Sequence, residues 1–237
     1  MNSSPPSGQQ GVVTHTPTNQ GEPCEWTTVH GTEAQHAEGA RKLLAGPQES
    51  WIRYDGTAMA AMELDRTGEK VELTTRSMHL ENGGEGDDRS AREMYRVLAA
   101  LPADGEQTLQ VLREKNAIAD PKGVPQAEND YSEISVLLGA DVMPSKGLAS
   151  LYRALATLPD GTVVDHLVET ASGRRAIALD YHTRDGNPGT EGTLRDQWLL
   201  DPQTYRVLGM RMVVGEKVAG GGSLIATAVV DRAGDRG

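Results

Sequence analysis

The chain has 237 residues, enough for one large domain or two small ones, and a domain of this size buries roughly 70–75% of its unfolded surface. Hydrophobic residues make up 37% and charged residues 24%, the balance of a soluble globular protein, but phenylalanine is absent and aromatics reach only 4%, so the core must be aliphatic. A formal net charge of −11 repels phosphate backbones and anionic bilayer surfaces, which sets nucleic acid and membrane surfaces low as partners.

No window approaches the ~18 consecutive apolar residues of a membrane span, and the N-terminus lacks the basic-then-apolar layout of a signal peptide. Cys24 is the single cysteine, so an intramolecular disulfide and a cysteine-based zinc site are excluded. It has neither a helix N-terminus nor a basic neighbour to lower its pKa, and reads as a plain thiol rather than a nucleophile.

In chain order, residues 1–22 are rich in Pro, Gly, Ser, Thr and Gln, with Val12 and Val13 as their aliphatic pair. Too little apolar area is present to offset ordering entropy, which predicts a disordered tail or tether, followed by one domain over 23–237. "CEWTTVHG" has the composition of a strand. "SWIRYDGTAMAAMELD" (50–65) and "KVELTTRSMHLE" (70–81) are two further extended candidates joined by turn chemistry from Asp65 to Gly68. The acidic, glycine-rich "ENGGEGDDRS" predicts a surface loop.

The middle reads as four helices. Ala91, Met94, Tyr95, Leu98 and Leu101 share one helix face, and Pro102 ends the run. Asp104 before Gln107, and Asp130 before Glu133, have capping-box spacing at two helix starts. Leu148, Leu151, Tyr152, Leu155 and Leu158 repeat the first stripe. Each helix has an apolar stripe and a polar back, as elements laid against something else do.

Five strands then follow, "TVVDHLVETA", "RAIALDYHT", "TLRDQWLLD", "YRVLGMRMVV" and "SLIATAVVD", joined by short connections that predict antiparallel pairing in order. "GEKVAGGG" reads as a flexible hairpin connection. Asp201-Pro202 sets up the turn of "QWLLDPQTYRVLG". Along that hairpin Leu194, Trp198 and Leu200 share one face of the first strand, and Leu208, Met210, Met212 and Val214 one face of the second, forming an apolar wall. The fold class is α+β: a meandering antiparallel sheet with helices on one side.

"LASLYRALATLPDGTVVDHLVETASGRRAIALDY", "QWLLDPQTYRVLGMRMVV" and "AVVDRAG", with "LAALPADGEQTLQVL" (98–112), resemble an uncharacterised actinobacterial family over about residues 25–235. Its members carry a membrane helix and an extracytoplasmic domain and are often encoded beside sigma factors. Through the strand-Asp-Pro-turn-strand hairpin and the helix placement, that family is similar to the lipoprotein-carrier half-barrel. There a curved antiparallel sheet wraps helices packed on its concave face around an apolar cavity. The resemblance implies an extracytoplasmic location, although no membrane helix appears in this sequence, and it brings no catalytic residues.

The candidate ligand-binding residues are Trp198, Leu200, Leu208, Met210 and Met212 from the hairpin and Leu151, Tyr152 and Leu155 from the facing helix; methionine adapts to a variable apolar guest. The plain alternative is that they form a filled core. Metal binding has weak support. His30 and His36, with Glu33 between them, have the wrong spacing for a zinc-protease helix, and His166 and His182 merely fall on adjacent predicted strands. Glu81, Glu85, Asp87 and Asp88 do not follow the EF-hand ligand order. Asp180, Asp196, Asp201 and Glu169 form a rival acid–base set for a hydrolase. The expectation is a non-enzymatic extracytoplasmic domain, without cofactor or metal, that binds or senses an apolar, lipid or lipopeptide-like ligand. The alternative is a regulatory or protein-interaction module with a solid core, whose partner is another protein.

Overall fold

Helices and strands divide the chain largely as the hydrophobic periods predict; the stretch expected as one strand, "TVVDHLVETA", is instead two short strands, Gly161–Val163 and Val168–Glu169, and four larger departures are described below. The computed structural model describes residues 9–15, 47–64, 70–80, 89–115, 123–159, 161–182 and 194–235. The strand expected at "CEWTTVHG", Cys24, His30, His36, the turn at Asp65 to Gly68 and the acidic loop from Glu81 to Asp88 lie outside these residues.

The described strands are β1 (Gln9–His15), β2 (Pro47–Arg53), β3 (Ala58–Leu64), β4 (Lys70–Ser77), β5 (Gly161–Val163), β6 (Val168–Glu169), β7 (Arg175–His182), β8 (Leu194–Leu200), β9 (Val207–Val214) and β10 (Lys217–Val230). The helices are α1 (Ala91–Ala100), α2 (Gly105–Lys115), α3 (Gln126–Leu138) and α4 (Ser145–Leu155). All pairings are antiparallel, along the open path β4-β3-β2-β1-β10-β9-β8-β7-β5, with β6 pairing β7 in a second, two-stranded sheet. The fold is therefore α+β, and its strand path does not close into a barrel among the described residues.

The first departure is β1. The segment expected to be a tether contributes a strand between β2 and β10. Its backbone is bonded on both edges, a gain that a count of apolar side chains does not register. Second, the stretch 50–65 is two strands: Gly56, at φ +80°, turns the chain, and Asp55 Oδ1 accepts from the Thr57 amide at 3.1 Å and its hydroxyl at 2.7 Å.

Third, the expected helix cap at Asp130 and Glu133 is not a cap. Helix α3 begins at Gln126 after Pro125, so both carboxylates lie inside it, buried, and each meets an arginine. Arg113 pairs with Asp130 through two bonds, and Arg89 Nη1 donates to Glu133 Oε1 at 3.0 Å. A carboxylate pair three apart on one helix face fits a cap and an ion-pair ladder equally well, and only the third dimension separates them. The cap expected at Asp104 does form, its Oδ1 accepting from the Gln107 amide at 2.9 Å. Helix α1 has a full capping box between Ser90 and Glu93.

Fourth, the glycines of "GEKVAGGG" belong to β10, which runs unbroken for 14 residues and pairs first with β9 and then with β1. It joins the strands on either side of it into one path.

The main core lies between the helices and one face of the sheet. Leu98, Leu101, Leu109, Leu112, Ile134, Leu137, Leu148, Leu151 and Leu155 pack with Tyr131, Tyr181 and Trp198. Gly147 lets α4 approach α1: a Cβ there would lie 2.8 Å from the Leu98 Cβ. The opposite face of the sheet carries a smaller cluster, Ala176, Ala178, Leu199 and Leu208, covered by Val164 and Val168.

Candidate functional site

A half-open cleft of about 780 Å³ lies where α4 and the α3–α4 connection face strands β8, β9 and β10. Antiparallel register sets its floor. Trp198 pairs with Met210, and Met210 with Gly222, so indole and thioether share the helix-facing side, and the wall ends at a residue with no side chain. Leu138, Met143, Leu148 and Tyr152 line it from the helical side, and Thr204, Tyr205 and Arg206 from the β8–β9 turn.

Glycine is required where β9 and β10 pinch together. Gly209, at φ +150°, and Gly221, at φ +142°, both line the cleft, and a Cβ on either would fall inside van der Waals contact with backbone of the opposing strand. The glycines of "VAGGG", expected as a flexible connection, instead pair along β9 in register with Met212, Arg211 and Met210, and the run of glycine was the signal of that close approach.

Behind the floor a short hydrogen-bond relay fixes Trp198. Its Nε1 donates to the Tyr131 hydroxyl at 3.1 Å, and that hydroxyl donates to Asp196 Oδ2 at 3.0 Å. Tyr131 stacks on Tyr181, with centroids 3.7 Å apart and ring planes 8° from parallel. Burial pushes the Asp196 carboxyl up, opposed by the Tyr131 bond, and burial pushes the Tyr131 phenol upward too.

Asp141 is the acidic side chain of the lining, and burial pushes its carboxyl up to about 6. A carboxyl whose folded pKa exceeds its unfolded value of 3.8 contributes stability in full below 3.8 and loses it as pH rises through about 6. Asp141→Asn is therefore expected to stabilise the fold by about 1–3 kcal/mol at pH 8, shrinking to a fraction of that at pH 4.5. Urea midpoints at the two pH values check this; equal gains at both would contradict it.

The eight residues expected at the site are not all brought together. Trp198, Met210 and Tyr152 line the cleft. Leu151 and Leu155 lie in the main core, and Leu200 is buried, in register with Ile177 and Val207. Met212 faces the helix side in register with Asp196 but is 38% exposed and outside the lining. Leu208 belongs to the cluster on the far face. A register shift explains it: Leu199 pairs with Gly209 and Leu200 with Val207, so Leu208 is the extra residue of a bulge, and strict alternation fails there.

The rival acid–base set does not converge. Asp180 lies on the far face, bonded to Arg195 at 2.8 Å and to Gln197, while Asp196 in the adjacent register row faces the helices. Asp201 serves the β8–β9 turn, pairing with Arg174, and Glu169 is exposed on β6. His166 is exposed beside Asp165, and no group of three His, Cys, Asp or Glu side chains is placed to hold a metal among the described residues. No helix among them is long and apolar enough to cross a membrane. Compared with models of known families, with curated proteins and with solved structures, the chain matches none.

Proposed function

We propose that this domain binds or senses an apolar, lipid-like ligand in the cleft over Trp198 and Met210, without catalysing a reaction on it. The observation that carries the reading is a volume of about 780 Å³ floored by an indole and a thioether. That volume falls within the ~300–1,000 Å³ common for ligand pockets, and methionine adapts to guests of varied shape. The sheet is proposed to curve as a half-barrel of the lipoprotein-carrier kind, with the helices on its concave side, and the domain to work outside the cytoplasm, as the family resemblance implies. The resulting cavity is an incompletely filled part of the same core that Leu151 and Leu155 complete.

A fluorescent fatty-acid probe is expected to bind saturably, one per chain, and native mass spectrometry to find lipid-sized adducts. Met210→Arg, which sets a charge over the floor, weakens the probe by about tenfold or more. Absence of both probe binding and adducts overturns the reading in favour of an interaction module with a solid core.

A further inference from the structure

We infer that the cleft selects amphiphiles bearing an anionic head, which pairs with Arg206 at the turn end of the lining while the tail covers Trp198 and Met210; this rests on the binding reading above.

The β8–β9 turn is built to hold Arg206 there. Asp201 Oδ1 accepts from the Gln203 and Thr204 amides at 3.0 and 2.9 Å, and the Asp201 amide donates to the Arg206 carbonyl at 2.8 Å. Arg174 clamps the same carboxylate at 2.8 Å. Tyr205 adopts φ 56°, in the left-handed region that non-glycine residues rarely occupy. Its amide donates to the Asp201 carbonyl at 2.9 Å, and its carbonyl accepts from the Tyr152 hydroxyl at 2.7 Å, which ties the turn to helix α4 across the cleft. A strained residue held from both sides, at the edge of a cavity, marks a place where geometry is kept at a cost in conformational energy.

Among the described residues, the side chain carried at this position is a cation without a partner. Arg206 is exposed and lines the cleft, and its guanidinium has no hydrogen bond or ion pair among the described residues, with Asp141 or any other carboxylate. Arg89, Arg113, Arg174 and Arg195 meet carboxylates, whereas Arg206 is a cleft-lining arginine that does not among the described residues. The planar guanidinium offers two parallel donors to a carboxylate or phosphate, and Val207, Met210 and Trp198 line the same cleft. A head and tail joined in one molecule satisfy both.

The test is displacement of the fluorescent fatty-acid probe by dodecanoate, its neutral isostere dodecanamide, and acetate, on the full chain and on Arg206→Gln, an exposed substitution. Dodecanoate is expected to compete about tenfold or more better than dodecanamide, Arg206→Gln to erase that preference while leaving dodecanamide within about twofold, and acetate not to compete. Equal affinity for the two twelve-carbon ligands, an equal loss of both in the variant, or competition by acetate overturns the inference while leaving the cleft a binding site. Failure of the probe itself to bind overturns the binding reading and the inference together.

Discussion

Replacing Arg89 by alanine is expected to lower the unfolding free energy by about 3–5 kcal/mol, read from urea denaturation at pH 8. The Arg89 and Glu133 side chains are 6% and 8% exposed and meet at 3.0 Å, so the substitution strands a carboxylate in the interior. Burial already raises the Glu133 carboxyl, and Arg89 opposes that rise. Without Arg89 the carboxyl moves further above its unfolded value. The deficit is therefore largest above both values and shrinks as pH falls and the group protonates. Arg89→Met with Glu133→Leu, which removes both charges, should recover most of the loss. A single-variant cost under about 1 kcal/mol would show that the pair is not desolvated. The position matters because Arg89 directly precedes Ser90, the cap of α1, and so ties the entry of that helix to α3.

Gly221→Val is the second large effect, with an expected loss of about 3–5 kcal/mol or failure to fold. The backbone at φ +142° is closed to a branched side chain, and the new Cβ would collide with the Cα of Arg211 and the carbonyl of Met210, atoms that cannot swing aside. By contrast, Gly173→Ala, where a Cβ meets nothing within 4 Å, carries only the strain of its positive φ. Thermal unfolding of the two variants side by side separates the terms: a Gly221→Val protein as stable as Gly173→Ala would mean that β9 and β10 do not pinch.

Much of the scaffold was legible because two periods, 3.6 and 2, run through the apolar residues. Leu148, Leu151 and Leu155 of the expected stripe did become the buried face of α4, with Leu158 buried just past its end, and Trp198 and Met210 did meet across β8 and β9. What periodicity could not supply was anything fixed by a partner distant in sequence. Asp130 and Glu133 read as a cap because Arg113 and Arg89 lie on other elements. Leu208 read as wall because a one-residue bulge leaves no mark in the alternation. Strand β1 was missed because its neighbours β2 and β10 are far along the chain.

The cleft was legible in part for the same reason. Its floor follows from register, but its lining also includes Asp141 and Arg206, polar residues of connecting segments that no apolar pattern selects. Glycine offered the missed clue. A run of three on β10, in register with Met212, Arg211 and Met210, leaves that stretch of the strand without side chains, and Gly221 and Gly222 line the cleft beside Trp198 and Met210.

The most direct test is a methyl NMR titration of the methionine-labelled chain with dodecanoate. The cleft reading predicts that the Met210 and Met143 methyls shift together and saturate at one equivalent, while Met62, packed near Trp51 in the other part of the sheet, stays in place. Unmoved Met210 and Met143 resonances, or shifts confined to Met62, would contradict it.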